Sequence, residues 1–144
     1  MRILLDADTP IQLLAVLRHV LPAHRVDHVH DLGWSRKKDI PLLRDASAHY
    51  DVFVTNDLNQ LDNPGETAAI RKSRLHHVRY GHRQPGLQGL ALAIGAVVAA
   101  MPGVMEHLED AETQRLIQIK GLDPNPKHRF ESIDPVRQPP KYWR

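Results

Sequence analysis

Apolar and polar positions along the chain form two kinds of pattern. Short runs rich in aliphatic or β-branched residues predict strands at residues 3–5, 25–30, 51–55, 75–80 and 115–120. Apolar residues at helical spacing predict helices over residues 11–22, 39–50, 66–73, 87–101 and 105–113. Because strands and helices alternate, the chain is predicted to be an α/β protein with a largely parallel sheet.

The pattern changes after Gly121. Five of the eleven prolines lie in residues 122–144, beside scattered charges, which predicts an extended tail after a single domain over residues 1–121. A chain of 144 residues with 42% hydrophobic content buries one proper core. The chain contains no cysteine, which excludes disulfides, thiolate zinc sites and a cysteine nucleophile.

The apolar runs also indicate in which compartment of the cell the protein is found. The first residues already belong to a strand pattern, so we expect no signal peptide. The longest apolar run, residues 90–101, is shorter than a membrane helix requires, so we expect a cytoplasmic protein without a membrane span. The small residues of the helix over 87–101 permit close approach either to the sheet or to a second subunit, so a homodimer is one candidate assembly.

Positive charge is clustered although the formal net charge is only +2. Arg36, Lys37 and Lys38 are contiguous, and a second run from Arg71 to Arg83 contains no acid. Such runs attract phosphate backbones, although many are simply solvated surface. Arg36, Lys37, Lys38 and Arg79 are the candidate nucleic-acid-binding residues.

Acidic residues follow the two clearest strands. Asp6 and Asp8 come after residues 3–5, and Asp57 follows residues 51–55. Asp39 stands at the start of a predicted helix, where it can serve as an N-cap. Asp8 also has a structural interpretation, because an Asp-Thr pair before proline commonly begins a helix.

The carboxyl ends of parallel strands meet at one edge of a sheet, where ligands bind. If Asp39 begins its helix at that edge, Asp6, Asp39 and Asp57 can converge on one hard cation, Mg²⁺ or Mn²⁺, with water in the open positions. A cation held in this way can polarise a phosphodiester and activate water. Glycine-rich phosphate loops are absent from the sequence.

The order of three segments, LLDADTP, HDLGWSRKKDIPLL and DVFVTNDLN, resembles the short PIN-like nucleases related to VapC-type toxins. The resemblance implies a metal-dependent single-strand ribonuclease on a three-layer α/β/α sandwich around a mainly parallel sheet of four or five strands. It assigns the acidic cluster to Asp6, Asp39 and Asp57, with Asp8 as an outer partner. Asn59, a neutral ligand, stands near the place of the family's fourth acid. RNA is the implied substrate, and an antitoxin protein is a candidate partner.

Two alternatives remain open from the sequence. The segment Asp6-Ala7-Asp8-Thr9 resembles the DxDxT motif of haloacid dehalogenase-type phosphatases, with Asp6 as nucleophile, Asp8 as acid and base, and Thr55 as phosphate ligand. That scheme also requires a lysine farther along, and none occurs between Lys72 and Lys120. The other alternative is a non-catalytic relative that binds RNA or a partner through its basic residues.

Overall fold

Six strands and four helices occur in the computed structural model, which describes residues 1–81 and 84–144. The strands are β1 (Arg2–Leu5), β2 (Arg25–His28), β3 (Val52–Thr55), β4 (His76–Arg79), β5 (Leu116–Ile119) and β6 (Phe130–Ile133). The helices are α1 (Gln12–Val20), α2 (Asp39–Ala46), α3 (Pro64–Ser73) and α4 (Gly86–Glu109). Short 3₁₀ turns occupy Gln60–Asp62 and Pro126–His128. The α/β class predicted from the sequence is confirmed.

All six strands form one sheet in the order β2-β1-β3-β4-β5-β6. The first five are mutually parallel, as predicted, and β6 is antiparallel to β5. The expected count of four or five strands is wrong, because part of the segment expected to be an extended tail pairs with β5. Leu116 lies opposite Ile133, and Ile119 lies opposite Phe130. A four-residue strand between proline-rich segments has too weak a pattern to be recognised from the sequence.

A hydrophobic core covers each face of the sheet. Alternate residues of a strand point to opposite faces, so Leu5 joins the core with α1 and α4, whereas Leu4 joins the core with α2 and α3. Trp143 also belongs to the second core, and its backbone oxygen accepts a hydrogen bond of 2.7 Å from the Arg71 guanidinium. This arrangement is consistent with a three-layer α/β/α sandwich.

Helix α4 is continuous where the sequence predicts two helices. Pro102 lies inside it on an exposed position, while Val104, Met105 and Leu108 continue the buried stripe beyond the proline. Packing of that stripe on the sheet therefore outweighs the lost hydrogen bond of the proline. By length and composition alone α4 could also cross a membrane, a test that core helices pass as well. The cytoplasmic location stays a prediction.

Candidate metal centre

The hydroxyl group of Thr55 links the ends of the two central strands. Asp6, which directly follows β1, is 7% exposed, and its Oδ2 accepts a hydrogen bond of 2.9 Å from Thr55 Oγ1. Its Oδ1 accepts a hydrogen bond of 2.8 Å from the amide of Ala7. Thr55 Oγ1 in turn accepts a hydrogen bond of 3.1 Å from the amide of Asp57. The positions of Asp6 and Asp57 are thus tied to one buried side chain.

Asp8 does not cap α1, so the structural interpretation of this residue is wrong. The N-cap of α1 is Ile11, and no side chain donates or accepts there. Asp8 Oδ1 instead accepts a hydrogen bond of 3.1 Å from the amide of Asn56, just beyond β3. Thr9 is also occupied, because its hydroxyl oxygen accepts a bond of 3.2 Å from the Tyr80 hydroxyl. Asp8 therefore faces the carboxyl edge of the sheet.

Three carboxylates meet at this edge. Asp39, Asp57 and Glu66 each offer an oxygen atom, and these atoms lie within 4.8 Å of one another. We call these three residues the acidic cluster. The structure thus brings together Asp39 and Asp57, two of the residues that the sequence predicted, and adds Glu66. Carboxylate oxygens are the ligands that hard divalent cations prefer.

Two helix starts supply carboxylates to the cluster. Lys38 is the N-cap of α2 and makes no side-chain cap, so Asp39 is the first helical residue rather than the N-cap. In α3 the side chain of Asn63 takes the capping role, accepting a hydrogen bond of 3.0 Å from the amide of Glu66. The sequence interpretation began this helix at residue 66 and did not include Glu66 among the candidate ligands. The Asn63-Pro64 pair, a common helix start, would have placed Glu66 in the first turn beside the strand ends.

The carboxyl groups at this edge influence one another's ionisation. Burial, together with the negative charges of Asp8 and Asp39, raises the pKa of Asp6 from its usual 3.8 to about 6, although hydrogen bonds from Ala7 and Thr55 oppose the rise. Burial also raises the pKa of Asp8, with added repulsion from Asp57 and Asp39. Burial, a hydrogen bond to Asp39 and the charges of Asp39 and Asp57 raise the pKa of Glu66 to about 7. A bound divalent cation would relieve this repulsion.

The loop between Asp57 and Glu66 is anchored to the sheet by a buried hydrogen bond. Gln60 is buried, and its Oε1 accepts a hydrogen bond of 2.8 Å from Nε2 of His77 on β4. Burial lowers the pKa of His77 to about 3, so this imidazole is neutral, and its buried Nδ1 has no partner among residues 1–81 and 84–144. The amide of Asn59 donates a hydrogen bond of 2.8 Å to Asp57 Oδ1. These contacts hold the loop that presents Asp57.

The candidate nucleic-acid-binding residues differ in their surroundings. Lys37 is engaged within the protein, because its Nζ lies 2.6 Å from Asp45 Oδ2 and 5.4 Å from the centre of the Trp34 ring. Lys38 lines a cavity of about 460 Å³ together with Asp39 and Glu66. Arg36 is exposed, whereas Arg79 is partly buried and donates a hydrogen bond of 3.3 Å to Gln118 Oε1. Of these four residues, Lys38 is thus the one that the structure places beside the acidic cluster, and Arg36 is free of the ion pair that engages Lys37.

Comparisons of the chain with protein-family models, with curated proteins and with solved structures found no match.

Proposed function

We propose that this protein is a PIN-like, metal-dependent ribonuclease that hydrolyses phosphodiesters of single-stranded RNA. The observation that carries the proposal is the acidic cluster, whose oxygen atoms lie within 4.8 Å of one another at the carboxyl edge of a parallel sheet. The donor set contains only carboxylate oxygens, which fits Mg²⁺ or Mn²⁺. The three-layer α/β/α sandwich of PIN-like proteins agrees with helices that pack on both faces of the sheet.

Each residue has a role in this proposal. Asp39, Asp57 and Glu66 would hold the cation, with Asp6 and Asp8 as a second row of negative charge and Asn59 beside Asp57. When bound, the cation supplies a Lewis acid that polarises the phosphodiester and lowers the pKa of the attacking water. Arg36 and Lys38 would bind the phosphate backbone at the rim of the site.

A phosphatase of the haloacid dehalogenase type is the second candidate. Asp6, Asp8 and Thr55 do lie at one edge, with Thr55 Oγ1 at 3.4 Å from Asp8 Oδ2. However, Asp6 is 7% exposed and both of its carboxylate oxygens accept hydrogen bonds from the protein. Such a carboxylate is a poor nucleophile for an incoming phosphate, so this candidate has less support than the nuclease.

The decisive experiment measures cleavage of single-stranded RNA in Mn²⁺ or Mg²⁺ and in EDTA. We expect cleavage only with metal, and a loss of more than roughly 100-fold in Asp57→Asn and Glu66→Gln, beyond what changes outside the ligand shell usually cause. Glu106→Gln, an exposed carboxylate on α4, is the matched control and should retain activity. Equal activity in all four proteins would refute the assignment of the acidic cluster.

Two further readouts separate the alternatives. Release of inorganic phosphate from a monoester, lost in Asp6→Asn, would support the phosphatase. Binding of RNA that survives both cluster substitutions, without cleavage by the wild type, would support a non-catalytic RNA-binding protein. Binding of RNA should weaken steeply with salt, since phosphate contacts release counterions. A role as the toxin of a toxin-antitoxin pair, a cognate antitoxin and a homodimer stay predictions.

A further inference from the structure

An open groove of about 590 Å³ lies at the carboxyl edge of the sheet, the edge that also carries the acidic cluster. Leu58, Leu92 and Leu122 form its apolar walls and are 40%, 48% and 56% exposed. We call this cavity the leucine groove. Leu58 directly follows Asp57 in the chain, and Gly81 and Lys120 lie just beyond the carboxyl ends of β4 and β5, so the groove opens at the edge of the sheet that carries Asp57. The volume lies within the range of small-ligand pockets, about 300 to 1,000 Å³.

The polar groups of the leucine groove suit an uncharged ligand with a hydrogen-bonding edge. Gln118 lines the groove, and its Oε1 accepts the hydrogen bond from Arg79 noted above. Its amide NH₂ donates to no group in the part of the chain that the structure describes. Lys120 is the one charged residue among the described lining residues, and its Nζ lies 3.0 Å from Glu131 Oε2. No described carboxylate lines the groove.

We propose that the leucine groove binds one nucleobase of the RNA, the base next to the phosphodiester at the acidic cluster. This inference rests on the proposed function. Proteins recognise single-stranded RNA mainly by taking up unstacked bases, whose faces are apolar and whose edges carry donors and acceptors. The leucine side chains contact the faces of the base, and the amide of Gln118 donates to its edge. The negative phosphate thereby lies at the proposed metal site, and the neutral base lies in the apolar groove.

Gly121 allows the groove to be blocked without disturbing the fold. It lines the groove, and no heavy atom lies within 4 Å of the position that its Cβ would take. Its φ is not positive, so a larger residue meets no backbone strain. Gly121→Trp therefore fills the cavity. Leu87→Trp is the matched control. Leu87 lies in the N-terminal part of α4, the part that contributes Leu92 to the groove, but Leu87 is 85% exposed and does not line the groove.

The test compares an intact single-stranded RNA with the same RNA carrying an abasic nucleotide next to the cleaved bond. In the wild type and in Leu87→Trp, removal of the base should lower kcat/KM by roughly 10- to 150-fold, the equivalent of about 1.5 to 3 kcal/mol for the burial of one apolar group of this size. Gly121→Trp should lower kcat/KM for the intact RNA by a similar factor and show no further loss on the abasic RNA. An equal abasic effect in all three proteins would overturn the proposal.

A second experiment measures binding without catalysis. It distinguishes an error in the proposed base site from an error in the proposed nuclease activity. The four ribonucleosides are titrated in EDTA while the methyl NMR signals of Leu92 and Leu122 are followed. Shifts in the wild type and Leu87→Trp, absent from Gly121→Trp, support the groove even if no RNA is cleaved. Absence of shifts in the wild type overturns it. Self-association that Gly121→Trp abolishes would show that a second copy of the chain fills the groove, and would also overturn it.

Discussion

The buried carboxyl group of Asp6 should make the stability of the protein depend on pH. Its pKa of about 6 lies well above the usual 3.8, chiefly because the carboxyl group is buried. A raised pKa means that the folded protein binds more protons than the unfolded chain between pH 3.8 and about 6, so stability from this group falls as pH rises through that window. At about 1.36 kcal/mol per pKa unit, this shift of the pKa corresponds to a loss of about 3 kcal/mol in the free energy of unfolding.

The substitution Asp6→Asn removes this titration. Relative to the wild type, the free energy of unfolding of the variant should rise by about 2.5 kcal/mol between pH 4 and pH 8, because the wild type loses stability and the amide does not. The amide makes the hydrogen bonds from Ala7 and Thr55 less well, a penalty of about 1 kcal/mol that is the same at both pH values. At pH 8 the variant should therefore be the more stable protein, although it loses a carboxylate at the proposed site.

Urea unfolding in EDTA, followed by circular dichroism at several pH values, measures this difference. Asp110→Asn, a change of an exposed carboxylate after α4, is the matched control for the loss of one carboxylate away from the site. Parallel stability profiles for Asp6→Asn and the wild type would refute the argument that burial raises the pKa of Asp6.

Three further predictions concern other parts of the structure. Binding of Mn²⁺ should tighten as pH rises to about 7, because the cation must displace the proton of Glu66. Calorimetry should detect the released proton, and in Glu66→Gln this pH dependence should be lost. His77→Phe should lose about 1 to 3 kcal/mol of stability at pH 7, since Gln60 Oε1 then lacks its donor. Its deficit relative to the wild type should shrink as pH falls below about 6.5, because the wild type, whose buried His77 resists protonation, loses stability there and the variant does not. His77→Phe with Gln60→Leu should regain the loss in urea titrations. Trp143→Ala should lose about 3 kcal/mol by thermal or urea unfolding, whereas Tyr142→Ala, at a partly exposed position, should lose less.

The sequence was sufficient for those parts of the fold whose signal is local. The apolar runs before Asp6 and Asp57 mark two adjacent central strands, and the parallel sheet follows from the alternation of strands and helices. Parallel strands share an edge, so Asp39 was predicted to meet Asp57 if its helix began there, and oxygen atoms of the two residues do lie within 4.8 Å of each other.

The features that sequence reasoning missed depend on tertiary contacts. The strand at Phe130–Ile133 exists because β5 offers an open edge, and the continuity of α4 through Pro102 depends on the core beneath it. Glu66 was missed because its approach to Asp39 and Asp57 depends on α3 packing beside α2, which no local pattern in the sequence indicates.

The contact of Trp143 with Arg71 bears on how the protein is made. Every residue of the acidic cluster lies within the first 66 residues, yet α4 covers one face of β1 and β3 only from residue 86 onward, and Trp143 completes the core on the other face. A nascent chain thus carries all its clustered carboxylates on the ribosome before either face of the sheet is fully covered. Folding that depends on contacts between residues 72 positions apart is slow, so the half-made chain exposes apolar surface until those late segments emerge.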